Sequence, residues 1–145
     1  MKELTDTECA YLTGIIEGEG CIRIDNVAPG KGKPKSGWRP TVHVTQKGRQ
    51  LIDELNSIYP GQIIESHGPK HLKNFRIAWV WGRCYDLMKQ ILPYMKGPKK
   101  KQVELVLNFH KHIQEMESKN YISEEEKEWR QIQLHILGYL KRQCE

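Results

Sequence analysis

The sequence predicts an α+β fold (α/β in the broad sense): one curved, four-stranded antiparallel sheet with helices on one face and a polar, basic surface on the other. Two observations predict it. Apolar spacing switches between the period of a helix and the two-residue period of a half-buried strand, in the order helix, strand pair, helix, strand pair, helices. The length, 145 residues, suits one domain spanning 1–145, since domains run to about 100–200 residues. The longest apolar run, residues 77–81, is far short of the roughly 20 residues of a membrane helix. No basic-then-apolar leader opens the chain, so no membrane partner is expected. Although 28% of residues are charged, 4 Trp, 6 Tyr and 2 Phe argue against disorder.

The first helix starts at Thr5, where T-x-x-E with Glu8 makes a capping box. It should run to about Gly18. Cys9, Leu12 and Ile16 form an apolar stripe, and Ala10, Gly14 and Gly18 a stripe of very small residues. Interior glycine costs a helix about 1 kcal/mol against alanine. The small stripe therefore implies either another backbone packing very close or a helix that frays near Gly14. Residues 21–27 then alternate, with Ile22 and Ile24 against Arg23 and Asp25, and residues 41–45 alternate again, with Val42 and Val44 against Thr41, His43 and Thr45. The basic loop PGKGKPKSG joins them into a hairpin. A second helix is expected over residues 47–59, stopped by Pro60-Gly61. A second strand pair follows over 62–67 and 75–81, around the basic loop GPKHLKN, then a helix over 83–92 ending near Pro93. A fourth helix begins at residues 99–101 and carries Val103, Leu105, Val106, Phe109 and Ile113. The last, residues 123–143, opens on Ser123 with Glu126 as a second capping box.

Charge is unevenly placed. The net charge is only +5, yet residues 26–52 carry Lys31, Lys33, Lys35, Arg39, Lys47 and Arg49 with no acid, and residues 66–85 carry Lys70, Lys73, Arg76 and Arg83 with none. Such a block suits a polyanion, and a two-stranded ribbon fits the DNA major groove. The four cysteines, at 9, 21, 84 and 144, have neither zinc nor redox spacing and read as reduced thiols. His110, His112 and His135 read as surface or core histidines, and Trp38, Trp79 and Trp81 as core or loop fillers.

Residues 12–20 read LTGIIEGEG. This stretch resembles the signature of the LAGLIDADG homing endonucleases, with Leu12, Gly14, Ile16 and Gly20 identical. The strand CIRI, the string Val44-Thr45-Gln46-Lys47 and the segment LPYMKGPKKKQVELVL resemble that family in the same order. The resemblance covers about residues 5–113, and the last helix matches only loosely.

The resemblance implies that the signature helix pairs with a second copy through Ala10, Thr13, Gly14, Glu17 and Gly18. One copy of the motif per chain then implies a homodimer. It implies a double-stranded DNA partner, Mg²⁺ (or Mn²⁺) as the cofactor with no small organic one, and hydrolysis of both strands of a long pseudo-palindromic site. Glu19 is implied as metal ligand and catalytic residue, with Gly18 beside it, Gln46 as the residue ordering water, and Lys99 as the cation near the scissile phosphate. Lys100 and Lys101 are adjacent, so the choice among the three stays open. Where the family carries a catalytic arginine this chain has Gln50, with Arg49 one place earlier. The motif's metal acid is glutamate where the consensus has aspartate, and Glu17 reads as a structural residue of the helix end. Strand alternation and the family's use of its strands make Arg23, Asp25, Arg39, Thr41, His43, Glu65, His67 and Arg76 candidate base contacts. Lys31, Lys33, Lys35, Lys47, Lys70 and Lys73 are candidate phosphate contacts. The alternatives are a DNA-binding protein without cleavage, an intron-splicing maturase on the same fold, and a basic α+β domain with a chance match. The expected location is the cytoplasm, or the compartment of the host DNA, such as an organelle carrying a mobile intron.

Overall fold

The computed structural model describes residues 2–27, 37–116 and 123–144. Helix α1 is Asp6–Glu19, capped by Thr5: the Glu8 amide donates to the Thr5 hydroxyl and the Thr5 amide to the Glu8 carboxylate, so both halves of the box form. The helix does not fray at Gly14. It leads directly into strand β1, Gly20–Val27, which pairs antiparallel with β2, Gly37–Gln46. Helix α2, Gln50–Ile58, precedes β3, Gln62–His67, and β4, Lys73–Val80. Helix α3 is Trp81–Ile91, α4 is Lys99–Met116 and α5 is Glu124–Gln143. The sheet order is β1-β2-β4-β3, antiparallel throughout.

One face of the sheet carries the core. Ile22, Val42, Val44, Ile77 and Trp79 pack with Leu12 and Ile16 of α1, Ile52 and Leu55 of α2, Leu87, Met88 and Ile91 of α3, and Val103 and Val106 of α4. The Trp79 indole donates to the Tyr59 carbonyl at 2.8 Å, so the largest core side chain has its one polar atom satisfied. Helix α5 docks on α4 through Phe109 stacked on Trp129 at 5.7 Å. The ion pairs from Glu126 to His112 and Arg130 join the same contact.

Several boundaries differ from the sequence reading. Strand β2 starts four residues earlier than residue 41, because Trp38 and Pro40 continue the alternation. Pro40 is tolerated because it lies one step beyond the stretch that bonds to β4, so its missing N–H leaves no ladder gap there. Helix α2 starts at Gln50 rather than residue 47, after bends at 47–49. Trp81 is not in a strand: its φ of 53° turns the chain into α3 and leaves the indole 45% exposed, against Gly37. The second capping box is half made. The Glu126 amide donates to Ser123, but the Glu126 carboxylate turns to the His112 ring and to the Arg130 guanidinium. The loop with Lys31, Lys33 and Lys35 lies outside the described residues.

Candidate functional site

The end of α1 is a tightly constrained junction. Gly20 turns the helix into β1 with its amide on the Ile16 carbonyl. A Cβ there would stand 2.6 Å from the Ile16 carbonyl oxygen and 2.9 Å from its Cα, so only glycine lets the strand leave so close to its own helix. Two charges from opposite helices then lock the junction. Lys99, the first residue of α4, donates its ammonium to the carbonyls of Ile16 at 3.1 Å and Gly20 at 2.7 Å. Glu17 accepts the amides of Gly97 at 2.6 Å and Lys96 at 3.3 Å, just ahead of α4. A cation thus meets the negative C-terminal end of α1, and an anion meets the positive N-terminal end of α4.

Glu19 is exposed at this junction, and among the described residues its carboxylate has no hydrogen bond or ion pair. Strand β2 runs two residues past the Gly20–Val44 pair, carrying Gln46 along the same end of the sheet. Of the three consecutive lysines, Lys99 is the one that reaches the motif; Lys100 and Lys101 are exposed. Lys99→Met keeps the stem and removes the bonds to two carbonyls. It should cost about 1.5–3 kcal/mol, the range for hydrogen bonds to charged groups, read as a lower midpoint in urea unfolding. Lys99→Arg should recover part of that loss.

The other sheet face is polar. Arg23 stands opposite Thr41, and Asp25 opposite Arg39. The Asp25 carboxylate gathers all three: Thr41 donates to it at 3.1 Å, Arg39 at 3.3 Å, and the Arg23 Nε lies 3.4 Å away. Further along, Arg76 donates to the Thr45 hydroxyl at 3.2 Å. Thr41 is only 2% and His43 only 7% exposed, so these two sit beneath the longer side chains. Burial, together with Arg76, Arg23 and Lys141 nearby and despite Asp25, pushes the His43 imidazole down to about 4. The folded protein therefore binds this proton more weakly than the unfolded chain, whose histidine titrates near 6.5. Stability from this group is complete above about 6.5 and is lost as pH falls from there through about 4. Thermal melts between pH 7 and pH 4 should show a smaller acid loss in His43→Gln than in the parent.

The strand register corrects two of the expected base contacts. Glu65 pairs with Phe75 and His67 with Lys73, on the helix side of the sheet, while Ile64 pairs with Arg76 and Ser66 with Asn74 on the polar side. The adjacent Ile63 and Ile64 offer two equivalent phases, and the fold buries Ile63 against the core. Ile64 is left 44% exposed on the polar face, and Glu65 instead pairs with Lys73 at 3.5 Å.

The remaining candidates fall into place around these. Ala10, Gly14 and Gly18 are exposed on α1, and among the described residues a Cβ on either glycine would meet nothing within 4 Å beyond its own stretch of helix. Thr13 is buried within its own chain, its hydroxyl donating to the Cys9 carbonyl. Arg49 pairs with Asp53 at 2.9 Å and lies over the Phe75 ring. Lys47 and Lys70 are exposed, Lys70 at a loop tip with φ 63°. Lys141 was not visible as a site residue: α5 brings its ammonium within 3.3 Å of the Cys21 thiol, two residues past Glu19. Only its place in the last turn of a helix could have signalled it, and that says nothing of which strand the helix reaches. The four cysteines are free, and burial pushes the Cys84 thiol well up.

The donors at the junction fit a hard divalent ion in kind, since Glu19 offers a carboxylate and Gly18 a backbone carbonyl. They amount to part of a site. Among the described residues no group of three or more His, Cys, Asp or Glu could hold a metal, and no helix there is long and apolar enough to cross a membrane.

No protein-family model and no curated protein matches the chain. Solved structures do. The homing endonuclease I-CvuI, in complex with the I-CreI target in 2 mM Mg, superposes with a TM-score of 0.72 at 19% identity, over 92% of this chain and 82% of that one. The group I intron-encoded homing endonuclease I-CeuI, complexed with DNA, gives 0.58 at 13% identity, over 83% of this chain and 61% of that one. The LAGLIDADG homing endonuclease I-GzeII, in complex with its DNA target, gives 0.58 at 20% identity over 93% of this chain, which spans 44% of that one. With its element order, its antiparallel sheet and the LTGIIEGEG helix feeding the first strand, this chain has the LAGLIDADG homing endonuclease fold.

Proposed function

We propose that the protein is a site-specific DNA endonuclease that acts as a homodimer and hydrolyses both strands of a long, pseudo-palindromic duplex with Mg²⁺ or Mn²⁺, leaving 3′ overhangs. The observation that carries the proposal is the α1–β1 junction: an exposed, unpartnered Glu19 at the end of a glycine-rich helix, with the Lys99 ammonium beside it and a basic sheet face running outward from it. The DNA in the crystals of I-CvuI, I-CeuI and I-GzeII supports the same reading.

Each residue then has a task. The Gly14 and Gly18 face of α1 receives the same face of a second chain, bringing two Glu19 carboxylates together. Together they complete the partial set of oxygen donors that one chain offers. A divalent ion, when bound, supplies an acidified water and neutralises charge on the phosphate. Gln46 orients water at the same end of the sheet. Lys99 keeps a positive charge at the junction while fixing the backbone that carries Glu19. Arg23, Arg39 and Arg76 meet the duplex, with Lys47 and Lys70 on phosphates at the margins, while Lys73 lies on the helix side of the sheet with Glu65. The protein would work wherever its target DNA resides.

The test is a cleavage selection. The protein is incubated with Mg²⁺ and a large randomised duplex library, and newly made ends are sequenced. Recurrent staggered breaks around a partly palindromic consensus support the proposal. Enrichment of a bound consensus without breaks overturns the nuclease and leaves a DNA-binding protein. Preference for structured RNA over duplex favours the maturase.

A further inference from the structure

We infer that Arg23 and Arg39, held by Asp25, form a rigid reading unit that selects two guanines within about two base pairs of each other in each half of the DNA target. This rests on the DNA-binding reading above and adds a chemical specificity to it.

The unit is built into the middle of the β1–β2 ribbon. Cross-strand pairing sets Asp25 opposite Arg39 and Arg23 opposite Thr41, so the two arginines are diagonal neighbours on one face. Such diagonal positions lie roughly 7–8 Å apart, about two base-pair rises. Asp25 is the common anchor, at 3.4 Å from Arg23, 3.3 Å from Arg39 and 3.1 Å from the Thr41 hydroxyl. The Nε atoms of both arginines are buried without a hydrogen-bond partner among the described residues, while the side chains stay 38% and 35% exposed. The stems are therefore sunk and the outer edges of the guanidinium groups are presented. Thr41 is covered, so it braces Asp25 and does not read a base.

Two features decide the ligand. An arginine fork matches the O6 and N7 acceptors of guanine in the major groove. A phosphate approaching the same forks would meet the Asp25 carboxylate that touches them both, a like-charge penalty that a neutral base edge does not suffer. Asp25 thus turns two generic phosphate binders into base readers.

The test is a binding selection on the full chain from a randomised duplex library in EDTA, so that cleavage cannot bias recovery. The parent protein should recover a consensus with two such guanines in each half-site. Arg23→Ala should lose preference at one and Arg39→Ala at the other, each by roughly ten- to a hundred-fold. Arg39→Lys keeps the charge and the fold but lacks the fork, so it should keep affinity and lose the guanine. Asp25→Asn should relax both positions and leave the rest of the consensus intact. A consensus whose guanines are untouched by Arg39→Lys and Asp25→Asn overturns the inference while leaving the DNA-binding reading standing. No enriched duplex at all with the parent protein overturns both.

Discussion

Glu19→Gln should leave a folded protein that still binds its duplex, with cleavage reduced by roughly 10²–10⁴-fold, the range for a positioned acid–base or charge-stabilising group. The substitution is isosteric and its site is exposed, so nothing in the core responds. Glu19 has no hydrogen bond or ion pair among the described residues, so its loss leaves no buried group unsatisfied. The neighbouring Glu17 gives the internal control. Its carboxylate holds the Gly97 and Lys96 amides, so Glu17→Gln should lower the unfolding midpoint. Glu19→Gln should not. Gel-shift binding, melting temperature and single-turnover cleavage on the selected site separate the two. If Glu19→Gln cleaves at the parental rate, the carboxylate is not the metal ligand and the nuclease proposal loses its centre.

If the protein forms the proposed homodimer, Gly14→Leu should yield a monomer without unfolding it. Among the described residues, nothing beyond its own stretch of helix lies within 4 Å of an added Cβ, so the proposed partner chain is the expected source of a clash. Overpacking costs about 1–3 kcal/mol per site, and a two-fold interface meets the substitution twice, so the expected loss is about 2–6 kcal/mol. Gly14→Ala gives a finer version with opposed signs. It should stabilise the isolated helix by about 1 kcal/mol while weakening association. Sedimentation velocity reads the mass and chemical denaturation the stability. A Gly14→Leu protein that stays dimeric would place the second chain on some other face of the molecule.

The parts of the fold legible in the sequence were those with local causes. The Thr5–Glu8 box starts α1 because both partners lie within one turn. The period change after Gly20 marks β1 because Ile22 is buried and Arg23 is not. What escaped depended on distant partners. Two adjacent isoleucines leave the phase of β3 undefined, and only the packing of Ile63 decides that Glu65 and His67 turn away from Arg76. The carboxylate of Glu126 abandons its cap for the His112 ring on α4 and the Arg130 guanidinium on the next turn of α5. The resemblance implied that Glu17 was a structural residue of the helix end, but not that its partners were amides eighty residues away. Of the basic block, Lys47, Arg49, Lys70, Lys73 and Arg83 are exposed among the described residues, and Lys31, Lys33 and Lys35 lie outside them. That Asp25 would bind Arg39 of this block together with Arg23 on its own strand required the β1–β2 register.

The exchange of charges between the ends of α1 and α4 also has a bearing on biosynthesis. The junction that presents Glu19 is closed by residues 96, 97 and 99, about two thirds of the way along the chain. A nascent or truncated polypeptide that stops before them carries the whole LTGIIEGEG motif but none of the groups that hold its end in place. The chain acquires a fixed motif only after all four strands of the sheet have been synthesised. On the nuclease reading proposed above, an incomplete product would carry the motif without the contacts that fix Glu19.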